Sequence, residues 1–338
     1  MAAVKSIKDI AQLAGVSQST VSKALNDMPD VGAATKRRIK AIAEAHEFRP
    51  NAMGRGLKRQ TTESIGVLLC RESQPLSGNP FYSRVLEGIE AELAINNFNM
   101  VLHMLPDLES RETPKMIRDR HVDGMILVGV MRSQFIERLE RFDIPVVLVD
   151  PKTKVETFTQ VLIDNEHGGF LATQYLIKKG YSRIAFISGD LERLSFRQRH
   201  EGYRKALKFN NIPYDSELVK TGGLEKGYDY VKELVKLSDR PTAIFAGNDI
   251  NAIYGFKAIK EMKLEIPDDI SIIGFDDISL ANLCSPPLST IRVYKEEMGS
   301  IAVRVLLKIM GGEIKTPVTT MVPVKLIERE SVKFNGDI

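Results

Sequence analysis

The chain has 338 residues, too many for one ordinary hydrophobic core, so two or three domains are expected. Its 43% hydrophobic and 27% charged residues are the composition of a soluble globular protein, and no apolar run approaches the ~18 residues of a membrane span. The formal net charge of +3 hides a division, because residues 1–60 carry 11 Lys and Arg against 5 Asp and Glu, and the rest 36 against 39. A basic head on a mildly acidic body is an electrostatic footprint of nucleic-acid binding. No signal-peptide core opens the chain, so a cytoplasmic location is expected and an exported solute-binding protein is excluded. Cys70 and Cys284 form no disulfide framework and have no metal-ligand spacing.

The head begins with SIKDIAQLAGVSQSTVSKALN. Ser6 and Asp9 have the spacing of a capping box, and Ile7, Ile10, Ala11 and Ala14 follow at helical period. Gly15 supplies a turn, and Ser17 caps a second helix whose Val21, Ala24 and Leu25 face the first. Two short helices joined by a tight glycine turn form the unit that lays its second helix in a DNA major groove. Gln18, Ser19, Thr20, Ser22 and Lys23 crowd the start of that helix. Such a polar run suits a solvated face. It also suits the base-reading end of a recognition helix, where Gln18 can bridge adenine and Lys23 can reach guanine or a phosphate. A third helix, roughly 33 to 46, follows from Ile39, Ile42 and Ala43, and Pro50 stops it.

The pattern IKDIAQLAGVSQSTVSKALN, then FRPNAMGRGL, resembles the DNA-binding domain and hinge of the lactose-repressor/galactose-repressor (LacI/GalR) family of bacterial transcription regulators. The similarity continues to nearly the end of the chain. It implies an N-terminal all-α helix-turn-helix domain (1–50), a hinge helix or linker (51–61), and an α/β periplasmic-binding-protein-like (type I) domain (62–338). The last would consist of two doubly wound parallel-sheet subdomains, about 62–162 with 292–322 and about 163–291 with 323–338. DNA contacts would come from Ser6, Ser17, Gln18, Ser19, Thr20, Ser22, Lys23 and Asn26, and from Asn51, Arg55, Leu57 and Lys58 in the hinge. In the family a hinge leucine wedges into the central base step, and Leu57 holds that position among basic neighbours. Gly54 stands where alanine is usual, and Gly32 replaces the commoner serine cap of the third helix. Both weaken local helix, a glycine costing about 1 kcal/mol in a helix interior.

Beyond residue 62, strand-like runs alternate with amphipathic helices. Residues 65–70, 99–103, 124–129 and 145–150 read as strands of a first set, and 183–188, 242–246 and 271–275 as a second. Helices are expected after Pro80, near 166–179, 195–210 and 248–261, and at 296–310, with closing strands in 317–328. Strands apolar on both faces imply parallel sheets covered on two sides. Ligands of such sheets sit outside the strand C-termini. That rule selects Asp150 after PVVLV, Asn248 and Asp249 after TAIFAG, Asp276 and Asp277 after SIIGF, and Arg197 and Arg199 at the start of a helix. Acceptor-only Asp, bifunctional Asn and donor-only Arg together satisfy sugar hydroxyls, although Asp and Asn at such turns also serve as plain helix caps.

The resemblance assigns effector contacts to Asp150, Arg199, Asn248 and Asp276. It adds Asn79, Phe81 and Tyr82 in the loop after the first strand, where an aromatic ring could face the ligand or fill core. It implies a homodimeric regulator, acting as a repressor on a pseudo-palindromic duplex operator and controlled by a small-molecule effector, a sugar or sugar derivative. Two alternatives are a catabolite-control regulator answering to a phosphorylated carrier protein, and a sugar-handling enzyme or solute-binding protein. The chain has no phosphate loop, nucleophile elbow or His-Glu-x-x-His zinc motif, and its five histidines lack ligand spacing. No catalysis, metal, cofactor or membrane contact is therefore expected.

Overall fold

The computed structural model describes residues 6–46, 48, 61–70, 80–105, 113–129 and 131–336. The chain forms two compact units, residues 1–63 and 64–338. In the first, helices α1 (Ile7–Ala14), α2 (Gln18–Leu25) and α3 (Ala33–Ala45) enclose a small core. Ile10, Ala11, Ala14, Val21, Ala24, Val31, Ile39 and Ala43 are its buried members. The capping box is complete: Asp9 N donates to Ser6 Oγ at 3.2 Å, and Ser6 N to Asp9 Oδ2 at 3.0 Å. Gly15 takes a left-handed φ of 62° that a side chain would resist. Arg38 Nη2 donates to the Ala14 carbonyl at 2.8 Å, satisfying one of the open carbonyls at the end of α1. Gly32 caps α3 without a side-chain bond.

The second unit has the expected pair of doubly wound layers. Its first part runs β1 (Ser64–Cys70), α4 (Pro80–Ile95), β2 (Asn99–Leu105), α5 (Lys115–Arg118), β3 (Gly124–Val128), α6 (Ser133–Leu139), β4 (Val146–Val149) and β5 (Thr159–Ile163). Then come α7 (Asn165–Lys178), β6 (Ile184–Ile187), α8 (Leu194–Phe209), β7 (Val219–Lys220), α9 (Gly227–Val235), β8 (Ala243–Ala246), α10 (Asp249–Glu261), β9 (Ser271–Asp276) and β10 (Ser289–Val293). The chain closes with α11 (Lys295–Met310), β11 (Thr319–Val322) and β12 (Val324–Ile327). One sheet has the order β2-β1-β3-β4-β5-β11, the other β7-β6-β8-β9-β10-β12. All pairings are parallel except β10 with β12. Strands β3, β4, β5, β6, β8 and β9 are buried along their whole length, as sheets covered on both faces require.

The chain passes between the sheets three times: after β5, after β10 and at Pro323. The tail therefore gives one strand to each sheet, while α11 packs along α4 and against β3, β4 and β5. Each subdomain also contains a helix pair in backbone contact. A Cβ on Gly88 would lie 2.0 Å from the Glu296 carbonyl oxygen, and one on Gly299 would lie 2.2 Å from that of Val85. In the other half, Gly169 faces the Arg199 carbonyl at 2.2 Å and Gly202 that of Glu166 at 2.1 Å. Among the described residues, no helix is long and apolar enough to cross a membrane.

Candidate functional site

In the helical unit, Ser17 caps α2 by accepting from Thr20 N at 3.1 Å, and its hydroxyl lies 2.8 Å from those of Ser19 and Thr20. Gln18 and Ser19 are exposed at the helix start, while Thr20, Ser22, Lys23 and Asn26 are half-buried. Lys23 pairs with Asp30, and Asn26 Nδ2 donates to the Ser22 carbonyl at 2.7 Å. Lys40 binds both carboxylate oxygens of Asp27 at 2.7 Å. Ser6 and Ser17 thus build helix ends, and Gln18 and Ser19 remain the outward-facing polar pair. The expected hinge contacts Asn51, Arg55, Leu57 and Lys58 lie outside the described residues, as does Asn79.

In the larger unit, a cleft outside the strand C-termini is lined by Phe81, Tyr82, Asp150, Arg193, Ser195, Phe196, Arg199, Asn248 and Asp276, with Pro80, Leu224, Ile250 and Ile278 as apolar walls. Arg199 is almost fully buried, at 3% exposure. Its Nε donates to Asn165 Oδ1 at 2.8 Å and its Nη1 to the Gly247 carbonyl at 2.6 Å. Its Nη2 stands 3.1 Å from Asp276 Oδ1, and the guanidinium carbon lies 3.7 Å from the centre of the Phe275 ring. The planar cation is therefore fixed in position and tilt. Among the described residues, Asp276 Oδ1 has this ion-pair contact with Arg199 but no well-aligned hydrogen bond, so a buried acceptor of the cleft lining is left under-satisfied. Burial pushes the Asp276 carboxyl above the usual carboxylate range, against the opposing pull of Arg199 and Lys295.

Asp150 follows β4 with φ 50°, and Asp276 and Asp277 follow with 108° and 52°. Left-handed backbone at non-glycine residues stores strain and clusters at functional sites. Tyr82 donates its hydroxyl to Asp150 Oδ2 at 2.9 Å, and burial raises the Asp150 carboxyl to about 6. Across the cleft mouth, Leu194 N donates to the Lys152 carbonyl at 2.7 Å, and Lys152 Nζ pairs with Glu192 at 3.1 Å.

The structure thus brings Phe81, Tyr82, Asp150, Arg199, Asn248 and Asp276 to one cleft. Phe81 and Tyr82 belong to the first turn of α4 and not to a loop, since helix begins at Pro80, where a proline's fixed φ is tolerated. Asn248 is a helix cap that also belongs to the cleft lining. Its Oδ1 accepts from Asn251 N at 3.0 Å at the start of α10.

Two neighbouring acids are structural. Asp249 is fully buried, accepts from Ile278 N at 2.8 Å and bonds Thr290 Oγ1 at 2.6 Å, with its carboxyl raised by burial to about 8. Asp277 binds Arg292 and Arg329, each at 2.6 Å. Arg197 is exposed, and His200 packs beside Phe186, Tyr203 and Tyr214. Sequence reasoning missed Asn165, Arg193, Ser195 and Phe196. Gly169, four residues after Asn165, and Gly202 mark the close helix crossing that brings Asn165 to Arg199. Among the described residues, no group of His, Cys, Asp and Glu could hold a metal.

Residues 6–51 match the model of bacterial regulatory proteins of the lacI family, and residues 173–332 that of a periplasmic binding protein-like domain. The chain belongs to the LacI family of bacterial regulatory proteins. It is 33% identical over 334 residues to the HTH-type transcriptional repressor PurR of Vibrio atlanticus (strain LGP32), covering 97% of this chain and 98% of that one. It is 36% identical over 308 residues to the ribose operon repressor of Escherichia coli (strain K12), covering 89% of this chain and 92% of that one. Among solved structures, a LacI family transcriptional regulator from Enterococcus faecium with bound ribose superposes with a TM-score of 0.70 at 28% identity, covering 81% of this chain and 100% of that one.

Proposed function

We propose that this protein is a sequence-specific DNA-binding repressor, a homodimer on a pseudo-palindromic operator, whose affinity for DNA is set by a small uncharged polyol in the cleft. The observation that carries the reading is the buried, hydrogen-bond-deficient Asp276 Oδ1 beside a fully oriented Arg199. A buried acceptor left open loses stability until a donor reaches it, and a sugar hydroxyl is such a donor. Asn248 adds a bifunctional amide and Asp150 a second carboxylate, while Phe81 and Phe196 supply apolar faces for a ring. Two arginines balance two carboxylates in the lining, which favours an uncharged sugar over a sugar phosphate. The ribose repressor and the ribose-bound relative support that choice. A polar cleft of this completeness argues for a small ligand and against a carrier protein as the primary signal, and the relatives are repressors and not enzymes.

Control follows from two-state coupling. The ligand favours one angle between the subdomains, and that angle permits or forbids ordering of the hinge on DNA. The experiment is selection of the full-length protein on a random duplex pool, then fluorescence anisotropy on the enriched site with D-ribose, other sugars and purines. Enrichment of two-fold symmetric sites and a sugar-dependent change in affinity of tenfold or more are expected. Response to purines alone would transfer the effector reading to bases, and no enrichment would overturn it entirely.

A further inference from the structure

Lys295, the first residue of α11, is buried at 5% exposure and does not line the effector cleft. Its ammonium donates to three main-chain carbonyls: Asp276 at 2.5 Å, Asp277 at 3.2 Å and Val293 at 3.2 Å. A buried ammonium is tolerated only when its donors are used, and here three donors meet three acceptors. Two of those acceptors belong to the positive-φ residues Asp276, the last of β9, and Asp277, the first after it, a turn whose backbone needs external support. The Asp277 side chain is fixed separately by Arg292 and by Arg329, which also donates to the Leu288 carbonyl at 2.6 Å. The same turn therefore presents Asp276 to the cleft and is clasped from behind by a helix that packs on the other subdomain.

A second cavity, about 250 Å³, lies on the far side of the turn, lined by Asp277, Ile278, Lys295, Arg329 and Arg84 among others. Ile278 and Pro80 line both cavities. A close-packed surround transmits strain without yielding, whereas an open space behind the turn gives it somewhere to move. We propose that Lys295 is a positioning residue that holds the Asp276–Asp277 turn and carries its displacement into α11, so that an effector gripping Asp276 is felt by the first subdomain. This rests on the effector reading of the cleft given above.

The test is Lys295→Met, which keeps an unbranched apolar stem and removes the ammonium donors, in the full-length protein. Thr173→Val serves as a structural control, because it removes a buried bond from Thr173 Oγ1 to the Gly169 carbonyl (2.9 Å) within α7. Hydrogen exchange without ligand should quicken at the amides of 276–279 and 296–299 and stay unchanged over β6 and α8. With D-ribose as the probe, affinity should fall about tenfold, the scale of lost hydrogen bonds to a charged group. The ratio of operator affinities with and without saturating D-ribose should fall toward one, while Thr173→Val lowers stability and leaves that ratio intact. Uniform exchange across the second subdomain, no change at the turn, or an unaltered ratio would overturn the assignment. If the unmodified protein ignores D-ribose, that sugar is not its effector and the exchange pattern alone decides Lys295. Should Lys295→Met not fold, Lys295→Gln, which keeps an amide donor for one carbonyl, is read by the same measurements.

Discussion

Arg199 stands over Phe275, with its guanidinium carbon 3.7 Å from the ring centre, while its nitrogens donate to Asn165 and Gly247 and pair with Asp276. A lysine ammonium can carry the charge but cannot reproduce the planar group over the ring together with the two directed hydrogen bonds. Arg199→Lys should therefore weaken effector binding at least tenfold with operator affinity nearly unchanged, read by titrating an operator complex with D-ribose. Arg199→Ala leaves Asp276 buried without its cation, a change that typically costs about 3–5 kcal/mol. Its thermal midpoint should drop markedly as effector response disappears. Full effector response in both variants would remove Arg199 from the site.

Asp150 should make effector binding sensitive to mild acid. Its carboxyl is raised to about 6, chiefly by burial, so it is ionised at neutral pH and gains a proton as pH falls through 6. Protonation turns an acceptor-only group, already serving Tyr82, into one that must also donate. Calorimetric titration should show affinity constant above about pH 7 and declining below 6, and Asp150→Asn should flatten the profile. A flat profile in the unmodified protein would place the carboxyl off the ligand.

Asp249 makes a separate statement about stability. Burial raises its carboxyl to about 8, well above the ordinary carboxylate range, so the native state binds the extra proton. That contribution is fully present below about pH 4 and is lost as pH rises through 8. Thermal midpoints measured from pH 5.5 to 8.5 should fall for the unmodified protein more steeply than for Asp249→Asn. Equal slopes would mean that another group governs the trend.

The glycine pair at the α7–α8 crossing sets the position of Arg199. A methyl group on Gly169 would meet the Arg199 carbonyl oxygen at 2.2 Å, a backbone atom that cannot turn aside. Gly169→Ala should cost about 1–3 kcal/mol by overpacking and loosen effector binding together with the fold. At Gly32, where nothing lies within 4 Å, substitution by serine should instead gain a few tenths of a kcal/mol as a cap. Chemical denaturation of both variants decides the contrast.

Gln18 is the exposed side chain at the start of α2. Gln18→Ala should reduce discrimination at one base pair by about 1–3 kcal/mol and leave the salt dependence of binding unchanged. A changed salt slope with intact discrimination would reassign it to a phosphate.

The head was legible because each device in it is local: the capping box, the turn glycine and the apolar period all fall within a few residues. The strand-end acids were legible for a similar reason, since uninterrupted apolar runs point to them. Strand β5 was not, because Thr159 and Gln160 interrupt its pattern although both are buried. Gln160 is satisfied by the Val155 backbone, donating at 2.8 Å and accepting at 3.2 Å, a partnership that only the fold reveals. Strand β10 hid in the same way, its Ser289 and Thr290 being consumed by Ser331, Arg329 and Asp249. Asn165 and Lys295 read as ordinary polar residues at helix starts, and their roles come from contacts 34 and 19 residues away.

The order of the strands also sets an order in time. The helical head is a compact unit with its own core near the N-terminus, whereas β11 and β12, the final strand of each sheet, arrive only at Thr319–Ile327. At about 5–20 residues per second of synthesis, the head precedes the finished sensor by roughly 15–60 seconds. Every newborn chain therefore completes its helical unit before either sheet has gained its last strand, and a chain cut short before Thr319 would lack the closing strand of both.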